Sequence, residues 1–264
     1  MLVKDIMDRS YPSLYADELA TKARAILRET GIRILPVIDD EHRLIGIVTR
    51  SDLMTITSSV SPIRVQGVMS QPRFTATLNM PAEKAVRQML KLDEWYSPVV
   101  KSEQERFYMG VLGLENYVSA VINRGVEALF RPISEIMSTN VVTCSPEDEI
   151  DNVWRIMMKK SFAGLPVVKK GRVIGIITQK DLLDSGAAFP GFEAKRGRFK
   201  SPPKVASVMR VPVITLKPNS LIREAAKLII EKNIGRIPIV NDKGELVGIV
   251  DREDIVKVLL GAGG

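Results

Sequence analysis

Gly175-Ile176-Ile177-Thr178-Gln179-Lys180-Asp181 joins a short apolar strand to a hydroxyl, a cation and a carboxylate within three further residues. An ionised carboxylate accepts two hydrogen bonds side by side, which suits the neighbouring hydroxyls of a ribose. The threonine hydroxyl and the lysine beside it suit a phosphate. A helix N-cap alone also accounts for an aspartate at a strand-to-helix junction, and the two roles are compatible. What lifts this heptad above an ordinary junction is that the chain repeats it.

Four segments open with a similar phrase: Val3-Lys-Asp-Ile-Met7, Val65-Gln-Gly-Val-Met69, Ile133-Ser-Glu-Ile-Met137 and Val205-Ala-Ser-Val-Met209. In each, a proline lies 29 residues after the methionine (Pro36, Pro98, Pro166, Pro238). A glycine then heads an apolar strand (Gly46, Gly110, Gly175, Gly248), and 6 residues beyond it stands Asp52, Asn116, Asp181 or Asp254. Four matching spacings define a real repeat. Between methionine and proline lies a helical pattern: Ile150, Val153, Trp154 and Met157 in the third copy, Ile222, Ala225, Ala226 and Ile229 in the fourth. Ser145-Pro146-Glu147-Asp148 reads as an N-cap, a first-turn proline and a capping box. Turns such as Asn241-Asp-Lys-Gly244 separate two short strands, and a second helix follows the carboxylate. Each unit therefore reads β-α-β-β-α, an α/β fold of about 60–70 residues that is marginal alone and is expected to pair.

The chain has 264 residues, 45% of them hydrophobic and 26% charged, which fits a globular protein of two domains. No apolar run approaches a membrane span, and the N-terminus lacks the apolar core of a signal peptide. The single cysteine, Cys144, excludes an internal disulfide and predicts a reducing, cytoplasmic setting. The net charge of +7 is concentrated from Ala194 to Arg223, which holds eight basic residues and no acid. No catalytic constellation is present: His42 stands alone in a turn, Cys144 reads as a core thiol, and Asp39, Asp40 and Glu41 read as a solvated hairpin.

The repeat resembles the cystathionine β-synthase (CBS) domain, four copies of it covering nearly the whole chain. The resemblance rests on the Ile/Val-Met opening, the Leu/Ile-Pro-Val/Ile strand and the Gly-h-h-Thr-x-x-Asp heptad, h being apolar. It implies that units pair into two Bateman modules, 1–130 and 131–264, with clefts for adenosine-containing ligands, and that the chain senses ligands without catalysing a reaction. A chain of four units is also similar to the nucleotide-sensing subunit of AMP-activated kinase, in which they form a flat disc.

The resemblance places the ribose-binding carboxylate on Asp52, Asp181 and Asp254, and the phosphate-facing hydroxyl on Thr49 and Thr178. The second copy departs, with Gly113 and Asn116 at these places, and is expected to be empty or weak. One lost charge-assisted hydrogen bond, roughly 1.5–3 kcal/mol, costs about tenfold in affinity. The fourth has Asp251 in place of the hydroxyl, so a phosphate there needs an intervening cation, for which Arg252 is nearest. The base pockets implied are Ile136 with Phe162, Ala163 and Gly164 in the third copy, Ile6 with Ile32 in the first, and Val208 with Ile234 in the fourth. Arg33 and Arg236, just before the prolines, match phosphate-reaching cations of the kinase-subunit relatives, and solvated arginines with packed stems are the plainer alternative. With Arg50 and Lys180 they favour AMP, ADP or ATP over S-adenosylmethionine, whose sulfonium needs an acidic or aromatic cage. Either one chain completes the disc or two chains combine as a homodimer, and occupancy is passed to a regulated partner. The insertion 185–204, with Phe192, Lys195, Arg196, Arg198, Phe199 and Lys200, reads as a solvated linker, as a flap over ligand phosphates, or as an RNA- or DNA-binding loop.

Overall fold

The computed structural model describes residues 1–53, 61–185 and 203–261. The first repeat comprises β1 (Leu14–Tyr15), α1 (Ala20–Thr30), β2 (Ile34–Ile38), β3 (Leu44–Thr49) and α2 (Arg50–Leu53). The second follows with β4 (Ala76–Thr77), α3 (Ala82–Lys91), β5 (Tyr96–Val100), β6 (Tyr108–Gly113) and α4 (Leu114–Val121). The third has α5 (Ile150–Lys160), β7 (Gly164–Lys169), β8 (Arg172–Thr178) and α6 (Gln179–Ser185). The fourth has α7 (Ile222–Glu231), β9 (Arg236–Val240), β10 (Leu246–Asp251) and α8 (Arg252–Leu259). In each, the two longer strands form an antiparallel hairpin, and β1 and β4 add on parallel. In the third and fourth repeats the leading strand shrinks to one parallel bridge, Cys144 to Val167 and Leu216 to Ile239. The basic insertion lies, from 186 to 202, outside the described residues.

Ser145 does not start the third helix. Its hydroxyl accepts from Glu147 N at 3.3 Å and its own N–H donates to Asp148 at 2.8 Å, closing a turn, and the helix begins five residues later at Ile150. Ile150, Val153 and Met157 then face the core as the periodicity predicts.

The repeats interlock through their openings. Val3 and Lys4 donate to Met80 O and Leu78 O of the second repeat, while Val65 and Gln66 donate to Glu18 O and Ala16 O of the first. The third and fourth exchange likewise, Ile133 to Ser220 O and Val205 to Asp148 O. The exchange explains the strand-head glycines. A Cβ on Gly46, Gly175 or Gly248 would lie 2.9, 3.0 or 2.7 Å from the sulfur of Met69, Met209 or Met137, the opening methionine of the interlocked repeat. Only a bare backbone admits it.

The apolar cores follow a different pairing. One cluster joins Ala20, Ala23 and Leu27 of α1 to Ile150, Val153 and Met157 of α5, hence the first repeat to the third. The other joins Ala85, Val86 and Met89 of α3 to Ala225, Ala226 and Ile229 of α7, hence the second to the fourth. The stripes that one unit cannot bury alone are buried within a single chain.

Candidate functional site

In each strand-to-helix heptad the last residue accepts a hydrogen bond from the amide three residues before it. Asp181 Oδ2 accepts from Thr178 N at 2.8 Å and from its hydroxyl at 2.6 Å, and Asp52 does the same with Thr49 at 2.7 Å in both bonds. Asn116 accepts from Gly113 N at 2.6 Å and Asp254 from Asp251 N at 2.8 Å. The helix-end role is thus seen directly, and Asp52, Asp181 and Asp254 themselves border neither of the cavities described below, although Thr178 and Asn116 of the same heptads border the larger one.

All four repeats border a cavity of ≈ 660 Å³, within the range of small-molecule sites. Seven cations line it (Arg33, Arg50, Lys180, Arg210, Lys232, Arg236, Arg252) against the carboxylates Asp8 and Glu115. Two of the guanidiniums are almost wholly buried, Arg252 at 1% exposure and Arg50 at 6%, and the Nε of each has no hydrogen-bond partner. Burial pushes Arg50 down to about 10, with Arg33 adding to the effect. Arg236 is likewise pushed down to about 10 by burial and then by Arg33, and burial lowers Arg33 too. These shifts record charge that the protein itself does not fully neutralise.

At the centre the residues three before three of the four prolines meet, Arg33, Trp95 and Gly235. Arg33 stacks on Trp95 at 4.5 Å, with Arg252 at 5.7 Å and Arg236 at 5.8 Å from the same ring. Gly235, the fourth-repeat counterpart, leaves the room: a Cβ there would lie 3.0 Å from the indole and collide with the Arg33 guanidinium. Trp95 is therefore a platform for cations from two other repeats. Arg33 and Arg236 are not freely solvated; Arg236 also donates to Gly164 O at 2.5 Å.

A second cavity of ≈ 440 Å³ has a balanced wall, with Arg33, Arg73, Lys160 and Arg236 facing Asp93, Glu94, Asp251 and Glu253. Trp95, Tyr96 and Phe162 contribute aromatic surface to it. Arg33, Tyr96, Ala163 and Arg236 border both cavities.

Several sequence expectations change here. Arg252 does not screen Asp251, because it turns into the larger cavity, donating to Glu115 at 2.6 Å and Tyr96 at 2.8 Å, while Asp251 borders the smaller one. The base-pocket pairs are also rearranged by the exchanged openings. Val208 packs in the cluster that holds Phe162, Ile136 in the one that holds Ile234, and Ile6 beside the second repeat and away from Ile32. Phe162, Ala163 and Gly164 do stand together, in the smaller cavity. Lys180 borders the larger cavity but is engaged by Asp184 at 2.6 Å and by Arg28 O at 3.2 Å. In the second repeat Glu115 folds over Gly113, filling the space of the missing threonine side chain, and pairs with Arg252. Glu115, Tyr96 and Arg210 were not singled out for ligand contact from sequence. Only Arg210 carried a signal, a cation directly after the opening methionine where the other repeats have Asp8, Ser70 and Ser138.

Asp254 sits beside Asp251, and burial first, then that neighbour, push its carboxyl from 3.8 up to about 7. Cys144 is a buried free thiol pushed up to about 12 by burial and Asp148, which makes it inert. Among the described residues no cluster of three or more metal-ligating side chains occurs, and no helix is long and apolar enough to cross a membrane.

Interlocked β-α-β-β-α repeats with clefts at their strand-to-helix junctions define a CBS-domain protein. The family model described as "CBS domain" matches residues 3–58, 133–187 and 205–261, well over half the chain, and the chain belongs to that family. The degraded second copy is not among the matched segments, although it folds as the others do. Protein MJ1225 of Methanocaldococcus jannaschii is 23% identical over 97% of this chain and 98% of its own length. Its crystal structure, titled as a candidate archaeal homolog of g-AMPK, superposes with a TM-score of 0.85 at 21% identity, covering 97% and 99% of the two chains. A conserved protein from Pyrococcus horikoshii superposes with a TM-score of 0.66 at 21% identity, over 98% of this chain and 100% of its own. At these identities the likeness shows the fold. The inosine-5'-monophosphate dehydrogenase of Thermoplasma acidophilum is 35% identical over 46% of this chain, a segment that is only 22% of the enzyme.

Proposed function

We propose that this chain is a non-catalytic sensor that binds adenine nucleotides (AMP, ADP or ATP) in its CBS clefts and reports their occupancy to a partner protein. The observation that carries the reading is a cavity lined by seven cations and only two carboxylates. Phosphate oxygens of a ligand supply the missing negative charge by accepting charge-assisted hydrogen bonds from these side chains. The modules are 1–130 and 131–264, a division supported by the opening exchanges within each half. Because the apolar clusters tie the halves together in one chain, a ligand bridging repeats is placed to bias their relative arrangement, which is what signalling requires.

Asp181 and Asp52 are the proposed ribose partners, and Arg33, Arg50, Arg236 and Arg252 the phosphate partners. The second repeat is proposed to be an empty or weak site, a reading supported by Glu115 lying over Gly113. A second reading applies to the smaller cavity, whose even charge and aromatic wall favour an uncharged or sulfonium nucleoside such as S-adenosylmethionine. Calorimetry against AMP, ADP, ATP and S-adenosylmethionine tests both. Heat with the nucleotides supports the sensor reading, and silence with all four removes it.

A further inference from the structure

Asp181 is the buried carboxylate of the best-preserved heptad, and its two oxygens are both in use. Oδ2 is held by the amide and hydroxyl of Thr178, at 2.8 and 2.6 Å. Oδ1 is held by the Arg210 guanidinium in a short ion pair. A ribose diol arriving at this cleft therefore finds its partner taken.

The pair is unequal. Asp181 is 5% exposed and Arg210 55%. The Arg210 backbone is pinned, its N–H donating to Ile176 O at 2.8 Å and its carbonyl accepting from Ile176 N at 3.2 Å. Only the side chain is free to move, and an ion pair with one partner half in water is weak enough to exchange. Arg210 also borders the large cationic cavity, beside Thr178, Arg50 and Arg252. A released guanidinium consequently enters a space already short of negative charge. The interlocked openings of the other repeats carry Asp8, Ser70 and Ser138 at this register, so the arrangement is special to the third cleft.

We propose that Arg210 makes the third cleft selective for ligands that bring their own anion. It closes Asp181 when the cleft is empty, yields Oδ1 to the ribose on binding, and turns its fork to the ligand's phosphate. A nucleoside without phosphate must break the ion pair and leaves Arg210 uncompensated among six other cations, whereas a nucleotide replaces one charge-assisted contact by another. This rests on the reading of the clefts as adenosine-ligand sites and names what one of them discriminates.

The test is titration calorimetry with AMP and with adenosine on the wild-type chain and on Arg210→Ser, Arg210→Gln and Asp181→Ala. The binding component that disappears in Asp181→Ala belongs to this cleft. In the wild type that component favours AMP over adenosine by at least about tenfold, the worth of one charge-assisted contact. In Arg210→Ser the preference falls below about threefold, with adenosine binding more tightly and AMP more weakly than to wild type. Arg210→Gln, which keeps a polar donor on a shorter stem and loses the charge, gives the same shift, and thermal melts of both variants establish that they fold. An unchanged AMP-to-adenosine ratio in both variants overturns the role of Arg210 while nucleotide binding stands. A wild type without any AMP component overturns the nucleotide reading and this proposal together.

Discussion

Replacing Glu115 by glutamine isolates the charge balance of the central cavity, because the side chain keeps its shape and loses one of only two carboxylates there. Glu115 Oε2 is 2.6 Å from Arg252 Nη1, with exposures of 26% and 1%. Removing one partner of a buried ion pair costs about 3–5 kcal/mol. Here the glutamine oxygen still accepts from Arg252, Tyr96 keeps its bond at 2.8 Å, and Glu115 retains some solvent, so the expected loss is ~1–3 kcal/mol. The second consequence runs the other way. At an effective dielectric near 20, a unit charge ~8 Å from a phosphate contributes about 2 kcal/mol, and screening by salt leaves roughly tenfold in affinity. Glu115→Gln should therefore be less stable than wild type in a buffer without polyanions and bind ATP or tripolyphosphate about tenfold more tightly. Urea denaturation with and without each anion measures both effects, since a ligand at a hundred times its dissociation constant adds about 2.7 kcal/mol. A variant with wild-type stability and a wild-type response to anions would refute the idea that the cavity is short of negative charge.

Asp181→Ala should weaken AMP or ATP binding by at least about tenfold while Asn116→Ala does little, and equal effects in calorimetry would undo the ranking of the clefts. Asp254 titrates from 3.8 up to about 7, so the fold favours its protonated form: that contribution is full below about pH 4 and is lost as pH rises through about 7. Asp254→Asn retains an acceptor for the Asp251 amide, as Asn116 already does for Gly113, and should be more stable than wild type by ~1–3 kcal/mol at pH 8 with the difference gone at pH 4. Chemical denaturation at the two pH values decides, and an equal gain at both would exclude the titration of Asp254 as its source. Gly175→Ala places a Cβ 3.0 Å from the Arg210 carbonyl, which backbone pairing holds in place, so a loss of ~1–3 kcal/mol in thermal or urea unfolding is expected.

The repeat, its element order and the helix faces were legible in the chain because they depend on local spacing. Val153 and Met157 face the core as their period requires, and the heptads end at helix starts as their carboxylates suggest. Ser145 misled because a serine and an aspartate three residues apart close a turn as readily as a cap. The residues paired as base pockets lie in different clusters for a deeper reason. Spacing relates each opening methionine to the glycine of its own copy, whereas Met209 lies against Gly175 and Met137 against Gly248. An exchange between equivalent copies leaves every sequence spacing unchanged.

What the sequence alone determined is a fourfold repeat with a heptad carboxylate in three copies and an asparagine in the second, since turn chemistry, periodicity and residue identity are local properties. The tertiary structure decided which charges share a space. Arg33, Arg252 and Arg236 gather on Trp95, Glu115 meets Arg252 across 137 positions, and Arg210 reaches Asp181 across 29. Coulomb interaction and desolvation depend on separation and burial in space, and those quantities exist only once the four repeats have closed around one centre.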